Sequence, residues 1–168
     1  MEYSLKTTGA PTLEELHKSP AFPTHEQFLK GPVVVIECIE EIPCNPCEAS
    51  CPKGAITVGK SITNLPKIDF EKCIVCGMCV SACPGLAIYI KDYTYNDTKA
   101  SLSFPYEYYP LPNPGDIVEA VDRYGKYVCD AKVIKVRNPK SNDHTSVVTI
   151  EYPKDHFEEA INIKRKIR

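Results

Sequence analysis

Residues 73–84 read CIVCGMCVSACP, and this short stretch predicts more about the architecture than any other part of the chain. Its cysteines follow the spacing C-x2-C-x2-C-x3-C-P and are Cys73, Cys76, Cys79 and Cys83. Thiols this close in sequence share a centre only if the backbone curves tightly, and Gly77 gives the chain conformational freedom in that curve. We expect a short turn of helix before Cys83, and Pro84 ends it because proline cannot continue a regular helix. The spacing therefore predicts a loop wrapped around a metal cluster.

A related copy of this pattern lies upstream. Residues 38–52 read CIEEIPCNPCEASCP, with Cys38, Cys44, Cys47 and Cys51 in the cysteine positions. Five residues instead of two separate the first two cysteines, so we expect residues 39–43 to bulge outward while the other cysteines stay in register. Asn45 takes the position of Gly77, and Asn tolerates a left-handed backbone better than most residues. Two copies of one unit predict a pseudo-symmetric fold built by duplication.

Together these motifs resemble the two-cluster bacterial ferredoxins over residues 32–92. The resemblance implies an α+β fold with a βαββαβ core of pseudo-twofold symmetry, two [4Fe–4S] clusters and one-electron transfer as the activity. In the bacterial pattern the fourth cysteine of each run binds the other cluster. The implied ligands of the first cluster are Cys38, Cys44, Cys47 and Cys83, and those of the second cluster are Cys73, Cys76, Cys79 and Cys51.

Structural zinc is the alternative for the cysteine motifs, because C-x2-C pairs also form four-cysteine zinc sites. A four-cysteine zinc site requires two C-x2-C pairs but neither a C-x2-C-x2-C run nor a proline after the last cysteine. The pattern therefore favours iron–sulfur clusters. The ninth cysteine, Cys129, lies in a predicted strand and is interpreted as a small buried thiol. The chain has no dinucleotide fingerprint, P-loop or nucleophile motif. We therefore expect it not to be an enzyme on its own.

Composition bears on compartment and partners. A formal net charge of −2 gives no general electrostatic reason to expect nucleic acid, and the basic run at residues 164–168 is interpreted as a solvated tail. The N-terminus does not resemble a signal peptide, and the longest strongly apolar run, residues 33–36, is too short to span a membrane. We therefore expect a cytoplasmic protein without a membrane span. A reducing compartment favours metal binding over disulfides for the cysteines.

Composition also divides the chain into four predicted segments. Residues 1–31 form a loop-rich N-terminal extension, in which Thr12 and Glu15 have the spacing of a capping box at the start of a short helix. Residues 32–92 are the cluster domain. Residues 93–115 are rich in Tyr and Pro, which predicts an extended linker or an ordered arm that lies on another surface. Residues 116–168 contain three β-branched runs, which predict a small antiparallel β unit. Helical spacing of apolar residues then predicts a closing helix over residues 155–167.

A second resemblance covers more of the chain. Residues 33–48 (VVVIECIEEIPCNPCE), 116–125 (DIVEAVDRYG) and 147–154 (VVTIEYPK) are similar to the ferredoxin-type small subunits of multisubunit FAD-dependent dehydrogenases that oxidise amino acids or amines such as proline or sarcosine. This resemblance implies flavoprotein dehydrogenase subunits as partners in a hetero-oligomer. The alternative is a freely diffusing soluble ferredoxin. A third hypothesis is a zinc- or cluster-bound structural or nucleic-acid module that uses the basic C-terminus.

The charges around the two motifs differ. The first has four carboxylates and no basic residue between Val33 and Pro52; they are Glu37, Glu40, Glu41 and Glu48. Near the second, Lys67 and Lys72 offset Asp69 and Glu71. Since a cluster gains negative charge on reduction, nearby carboxylates disfavour it, and we expect the first cluster to be the harder one to reduce. The alternative is that these glutamates are fully solvated and have little effect.

Overall fold

Residues 4–165 are described by the structure, a computed structural model, and β-strands dominate them. The helices are α1 (Leu5–Thr8), α2 (Leu13–His17), α3 (His25–Leu29), α4 (Pro46–Ala49) and α5 (Met78–Ala82). The strands are β1 (Val33–Ile36), β2 (Ile56–Thr57), β3 (Lys67–Ile68), β4 (Ile88–Asp92), β5 (Lys99–Tyr106), β6 (Ile117–Val121), β7 (Tyr127–Arg137), β8 (Ser146–Pro153) and β9 (Asn162–Ile163). Short 3₁₀ turns occupy Lys140–Asn142 and Lys154–His156. This mixed, sheet-rich structure with few, short helices confirms the α+β class.

Seven of the strands form one antiparallel sheet in the order β1-β4-β5-β8-β7-β6-β9. The other two, β2 and β3, pair antiparallel with each other. From β1 to β4 the elements follow as strand, helix, strand, strand, helix, strand. The cysteine motifs therefore lie at one end of the sheet, in the connections between β1 and β4.

Alternation along β1 and β4 separates two apolar cores. Val33 and Val35 belong to the larger core, which also contains residues of the C-terminal strands. Val34 and Ile36 point to the opposite face and belong to the smaller core, which the cysteines border. This follows from the period of two along a strand, because successive side chains face opposite sides of the sheet. One pair of strands thus forms the wall between the cysteine region and the rest of the protein.

The larger core joins the two ends of the sheet. Val33 and Val35 of β1 share it with Ala120 of β6 and Ile163 of β9. These strands stand at or next to opposite ends of the sheet order, so the sheet must curl for their side chains to share one core. The right-handed twist of β-sheets favours such curling in a sheet of this many strands.

Local signals in the N-terminal extension are confirmed by helix α2. Thr12 is its N-cap and accepts a hydrogen bond from the Glu15 N–H at 3.2 Å, while the Glu15 carboxylate accepts one from the Thr12 N–H at 2.9 Å. Leu16 on this helix is fully buried in the larger core, which also contains the buried side chains of Phe22 and of Phe28 from α3. The extension therefore covers one face of the sheet.

The predicted linker is wrong for part of residues 93–115. Strand β5 lies within this segment and pairs with both β4 and β8, inside the sheet. Its residues Leu102 and Phe104 are fully buried, which explains why an alternating strand forms there despite the flanking Tyr and Pro residues. The four-segment division stays a prediction, but one continuous sheet runs through the last three segments.

The predicted closing helix over residues 155–167 is also wrong for the described part. After the 3₁₀ turn at Lys154–His156 the chain becomes extended and adds β9 to the edge of β6. The N–H of Ile161 donates to the Val121 carbonyl at 3.0 Å, and that of Lys164 to the Glu119 carbonyl at 2.8 Å. Pairing with an open sheet edge satisfies backbone groups that a short isolated helix would leave at its ends. Residues 166–168 lie outside the described residues.

The strands predicted in residues 116–168 are present as β6, β7 and β8, and they pair antiparallel in that order. Cys129 is buried in β7, as expected for a small apolar side chain. Within residues 4–165, none of the helices has the length and apolar character needed to cross a membrane.

Candidate metal centres

Two cavities, each bordered by four cysteines, lie beneath strands β1 and β4. The first, with about 390 Å³ of space between protein atoms and open solvent included, is lined by Cys38, Cys44, Cys47 and Cys83. The second, with about 320 Å³ measured in the same way, is lined by Cys51, Cys73, Cys76 and Cys79. The structure thus brings together the cysteines of each expected ligand set, including the exchange of Cys51 and Cys83 between the two copies. Cys129 lines neither cavity.

Helices α4 and α5 place cysteines at both cavities. Cys47 lies within α4 and borders the first cavity, whereas Cys51, just beyond the end of α4, borders the second. In the same way, Cys79 within α5 borders the second cavity and Cys83, at its C-cap, borders the first. Each short helix therefore contributes to both centres, which is the interlocking expected of a duplicated unit.

Backbone conformation at the helix starts differs between the copies. Gly77 has the expected left-handed conformation, with φ of 80°. The expectation for Asn45 is wrong, because its φ is −144°. Pro46 occupies the first turn of α4, and its fixed φ suits the start of a helix, so this copy needs no left-handed residue there.

Val75 also has a left-handed backbone conformation, which the sequence pattern does not predict. Its φ is 53°, which is a genuine outlier for a β-branched residue. It lies between Cys73 and Cys76. Burial raises the pKa of the Cys73 thiol, and the backbone N–H of Val75 offsets part of that rise. The strained backbone thus turns the loop between two cysteines and directs a donor at one of them.

Hydrogen bonds to sulfur repeat the duplication. The N–H of Ala55 donates to the Cys51 sulfur at 3.2 Å, and the N–H of Ala87 donates to the Cys83 sulfur at 3.5 Å. In each copy the donor lies four residues after the acceptor. Such bonds favour a negatively charged thiolate and, in cluster proteins, help to set the reduction potential.

The pKa values of the thiols show what the sites require. Burial raises the pKa of Cys47 to about 11 and that of Cys79 to about 12, and it also raises the pKa of Cys38. Burial acts in the same direction on Cys51, but the backbone N–H groups around residues 53–56 outweigh it and lower the pKa of that thiol. Buried thiols with raised pKa values bind a metal only by giving up their protons, so loading of these sites is coupled to proton release.

The donor chemistry fits a four-iron cluster at each cavity. Within residues 4–165, no three His, Cys, Asp or Glu side chains are close enough together to hold a single metal ion. The thiols of each set border a common space, and a [4Fe–4S] cluster takes one thiolate on each of its irons. Four thiols around one cavity supply that ligand set.

The surroundings of the cavities differ in exposure and charge. At the second cavity Cys76 is exposed, Ile74 beside it is 57% exposed, and the side chain of Lys53 also lines the cavity. At the first cavity the lining includes Glu40 and the half-exposed Ile42. Asp69 and Lys72, near the second motif, form an exposed ion pair at 3.3 Å, so their charges largely cancel.

Glu37 does not contribute a free charge to the first site, which corrects the expectation from the sequence. Its side chain is only 5% exposed and lies against Arg123, which follows β6. The Arg123 guanidinium donates to both of its carboxylate oxygens, at 2.6 Å and 2.9 Å. Sequence reasoning missed this pair because its members are 86 residues apart. The available signal was a carboxylate that ends a fully apolar run, since a buried carboxylate needs a partner.

Comparison with known proteins agrees with this chemistry. The family model described as a 4Fe-4S binding domain matches residues 66–89. Over 50 residues, 30% of this chain and 18% of the relative, the chain is 48% identical to a subunit of the ion-translocating oxidoreductase complex of Methanosarcina acetivorans. Over 38 residues, 23% of this chain and 11% of the relative, it is 55% identical to a subunit of the Na(+)-translocating ferredoxin:NAD(+) oxidoreductase complex of Acetobacterium woodii.

A third relative is an uncharacterized ferredoxin of Methanocaldococcus jannaschii, 49% identical over 47 residues, which are 28% of this chain and 29% of the relative. The matching part of the chain thus spans less than a third of the length of each of these relatives. No solved structure matches the chain. The family model and these relatives agree on one point: residues 66–89 match a 4Fe–4S binding domain, which supports an iron–sulfur role for this part of the chain.

Proposed function

We propose that this chain is an electron-transfer subunit that holds two [4Fe–4S] clusters and relays single electrons to or from a flavoprotein dehydrogenase. The observation that carries the proposal is the pair of cavities, each lined by four cysteines drawn from both motif copies. In this assignment Cys38, Cys44, Cys47 and Cys83 hold the first cluster, and Cys51, Cys73, Cys76 and Cys79 hold the second. The core fold then is the pseudo-twofold dicluster ferredoxin type.

The protein's own residues set the conditions for electron transfer. A [4Fe–4S] cluster, when bound, accepts and returns one electron at a time. Apolar side chains such as Ile56 and Ile88 enclose the cavities from the smaller core, which lowers the local dielectric constant. The N–H groups of Ala55 and Ala87 stabilise negative charge at the sulfurs of Cys51 and Cys83. Because α4 and α5 each place cysteines at both cavities, the two sites are neighbours within one small domain.

Resemblance and relatives together support a partner. The segments at residues 33–48, 116–125 and 147–154 are similar to small subunits of FAD-dependent amino-acid and amine dehydrogenases. Two of the relatives are themselves named as subunits of oxidoreductase complexes. The large sheet beyond the cysteine region offers surface that electron storage alone does not need. We infer a hetero-oligomer in the cytoplasm, in which a flavoprotein does the substrate chemistry.

An anaerobic affinity pull-down of the tagged chain from its own host tests this proposal. Partners are identified by mass spectrometry, and iron, sulfide and flavin are quantified in the same sample. We expect a flavoprotein and about eight irons per copy of the chain, four for each cluster. The Cys79→Ser variant is the control for cluster-dependent recovery. A brown chain recovered alone with the same iron would instead identify a freely diffusing ferredoxin, and zinc in place of iron would overturn both assignments.

A further inference from the structure

We propose that Arg123 is a positioning residue for the first cluster site, acting through Glu37 on the ligands Cys38 and Cys83. The inference rests on the proposed two-cluster function and extends it. It assigns to the C-terminal strands, which contain no motif cysteine, a specific role in building one of the two sites. Arg123 follows β6, whereas the ligands it serves lie around β1 and α5.

The contact itself is rigid. The Arg123 Nη2 and Nε atoms donate to the two oxygens of the Glu37 carboxylate, and Nη1 donates to the Glu158 carbonyl at 3.0 Å. The Arg123 and Glu37 side chains are only 7% and 5% exposed. A planar guanidinium that meets a carboxylate through two parallel bonds fixes its orientation as well as its distance. Glu37 therefore has one defined position relative to the C-terminal strands.

Glu37 passes this position on to two ligands. Cys38 is the next residue in the chain, so the placement of Glu37 limits where the Cys38 thiol can lie. The N–H of Glu37 donates to the Ala87 carbonyl at 2.9 Å, and the N–H of Ala87 in turn donates to the Cys83 sulfur. Two of the four ligands at the first site are thus linked to Arg123 through Glu37. Cys38 is linked by a peptide bond and Cys83 by two successive hydrogen bonds through Ala87.

In the second copy the corresponding backbone bond is made by Asp69, and among residues 4–165 its carboxylate has no such distant partner. There the N–H of Asp69 donates to the Ala55 carbonyl at 2.8 Å, matching the bond made by Glu37. The Asp69 carboxylate, however, accepts from the N–H groups of Glu71 and Lys72 in its own turn, and its ion pair with Lys72 is exposed. The second site is positioned by local contacts, whereas the first depends on a residue 86 positions away.

The longer first loop gives a physical reason for the difference. Cys38 and Cys44 are separated by five residues, while Cys73 and Cys76 are separated by two. A longer loop restricts its ends less, because loop-closure entropy grows with length. Cys38 is therefore the ligand that its own motif holds least firmly. An external clamp on the residue before it supplies the restriction that the loop lacks.

The test compares Arg123→Met with Lys72→Met, which removes the cation paired with Asp69 near the second motif. Both variants are purified anaerobically as full chains, with iron content and the EPR spectrum of each cluster as readouts. We expect Arg123→Met to lose the signal of the first cluster and about half of its iron, while Lys72→Met keeps both signals. Arg123→Lys, which keeps the charge but not the planar fork, should lie between wild type and Arg123→Met.

A second readout does not depend on the clusters. In the chain stripped of iron, alkylation of Cys38 and Cys83 should be at least several-fold faster in Arg123→Met than in wild type, with Cys51 and Cys73 unchanged. Equal acceleration at all four thiols, or retention of an unaltered first cluster in Arg123→Met, would overturn the inference. Wild-type iron content tests the proposed function separately, so its failure and that of the clamp are distinguishable.

Discussion

Arg123 donates two hydrogen bonds to the carboxylate of Glu37, although the two residues follow strands from opposite regions of the sheet order. The sheet must curl to bring β6 close to β1, and the ion pair forms where they approach. Removing one member of a buried pair of this kind costs about 3–5 kcal/mol, because the remaining charge is left uncompensated. The cysteine region and the C-terminal strands are therefore parts of one structural unit.

The fourth cysteine of each motif copy borders the cavity of the other copy, so serine variants of Cys51 and Cys83 should lose different clusters. Cys51→Ser should lose the second cluster and Cys83→Ser the first, although each residue belongs to the other motif copy. Serine is a poor iron ligand in place of a thiolate, so each variant should retain about half of the iron. Cluster-resolved EPR after reduction measures which one is lost. Cys129→Ala, outside both cavities, should retain all the iron; loss of the same-copy cluster in each serine variant would refute the assignment.

Carboxylates at the first cavity predict unequal reduction potentials. With Glu37 neutralised by Arg123, Glu40 is the carboxylate that lines this cavity. Glu40→Gln should raise the potential of the first cluster by a shift on the order of tens of millivolts, since one exposed charge acts through screening solvent. Redox titration followed by EPR measures the shift. Glu71→Gln is the control near the second motif, and an unchanged first potential in Glu40→Gln would show that solvent screens the charge completely.

Lys91 predicts a dependence of stability on pH. Its side chain is buried, its ammonium donates to the Phe157 carbonyl at 2.8 Å, and burial lowers its pKa to about 7, with Glu37 opposing and Arg123 adding to the shift. Between pH 7 and the ordinary lysine pKa of 10.5, the unfolded chain binds a proton that the folded chain does not. Stability attributable to Lys91 therefore rises with pH across this window and is flat below it.

The variant Lys91→Met isolates that contribution. The free energy of unfolding of wild type relative to Lys91→Met should increase by up to about 1.4 kcal/mol per pH unit between pH 7 and 10. Thermal unfolding midpoints of both proteins in matched buffers measure the difference, and effects of the thiols cancel in the comparison. The Phe157 carbonyl keeps a second donor in the variant, the Tyr152 hydroxyl at 3.3 Å. A difference that is constant or falls with pH would contradict the assignment.

Backbone strain at Val75 predicts that substitution by glycine destabilises the protein less at Val75 than at the more exposed Ile74. Val75 has φ of 53°, and relief of this strain in Val75→Gly should return about 1–2 kcal/mol. Ile74 has no positive φ and is 57% exposed, so Ile74→Gly loses chain stiffness without compensation. Thermal unfolding of the two variants, with iron content as a check on loading, makes the comparison. Greater destabilisation by Val75→Gly would show that the strain is absorbed elsewhere in the loop.

Local sequence determined the features whose causes lie within a few residues. The cysteine motifs carried the resemblance that implied which thiols would meet, and the structure brings each expected set to one cavity. The capping box at Thr12 and Glu15 predicted helix α2, because both hydrogen bonds form within one turn. The β-branched runs predicted strands β6, β7 and β8. The capping box and each cysteine motif depend on residues that are close in the chain, whereas Cys83 meets Cys38, and Cys51 meets Cys73, only in the fold.

Tertiary structure decided the features that depend on distant partners. Phe157 and Ala160 have helical spacing, yet an open edge of β6 was available and the chain paired with it as β9. Strand β5 formed inside a Tyr- and Pro-rich segment because β4 and β8 flank it and bury Leu102 and Phe104.

The partnership of Glu37 with Arg123 could not be read from either motif, since it exists only when the sheet curls and excludes water from both side chains. A sequence pattern records local geometry, whereas burial is a property of the whole fold. The sequence therefore predicted which cysteines border each cavity, while the folded sheet determined which charges remain free to act there.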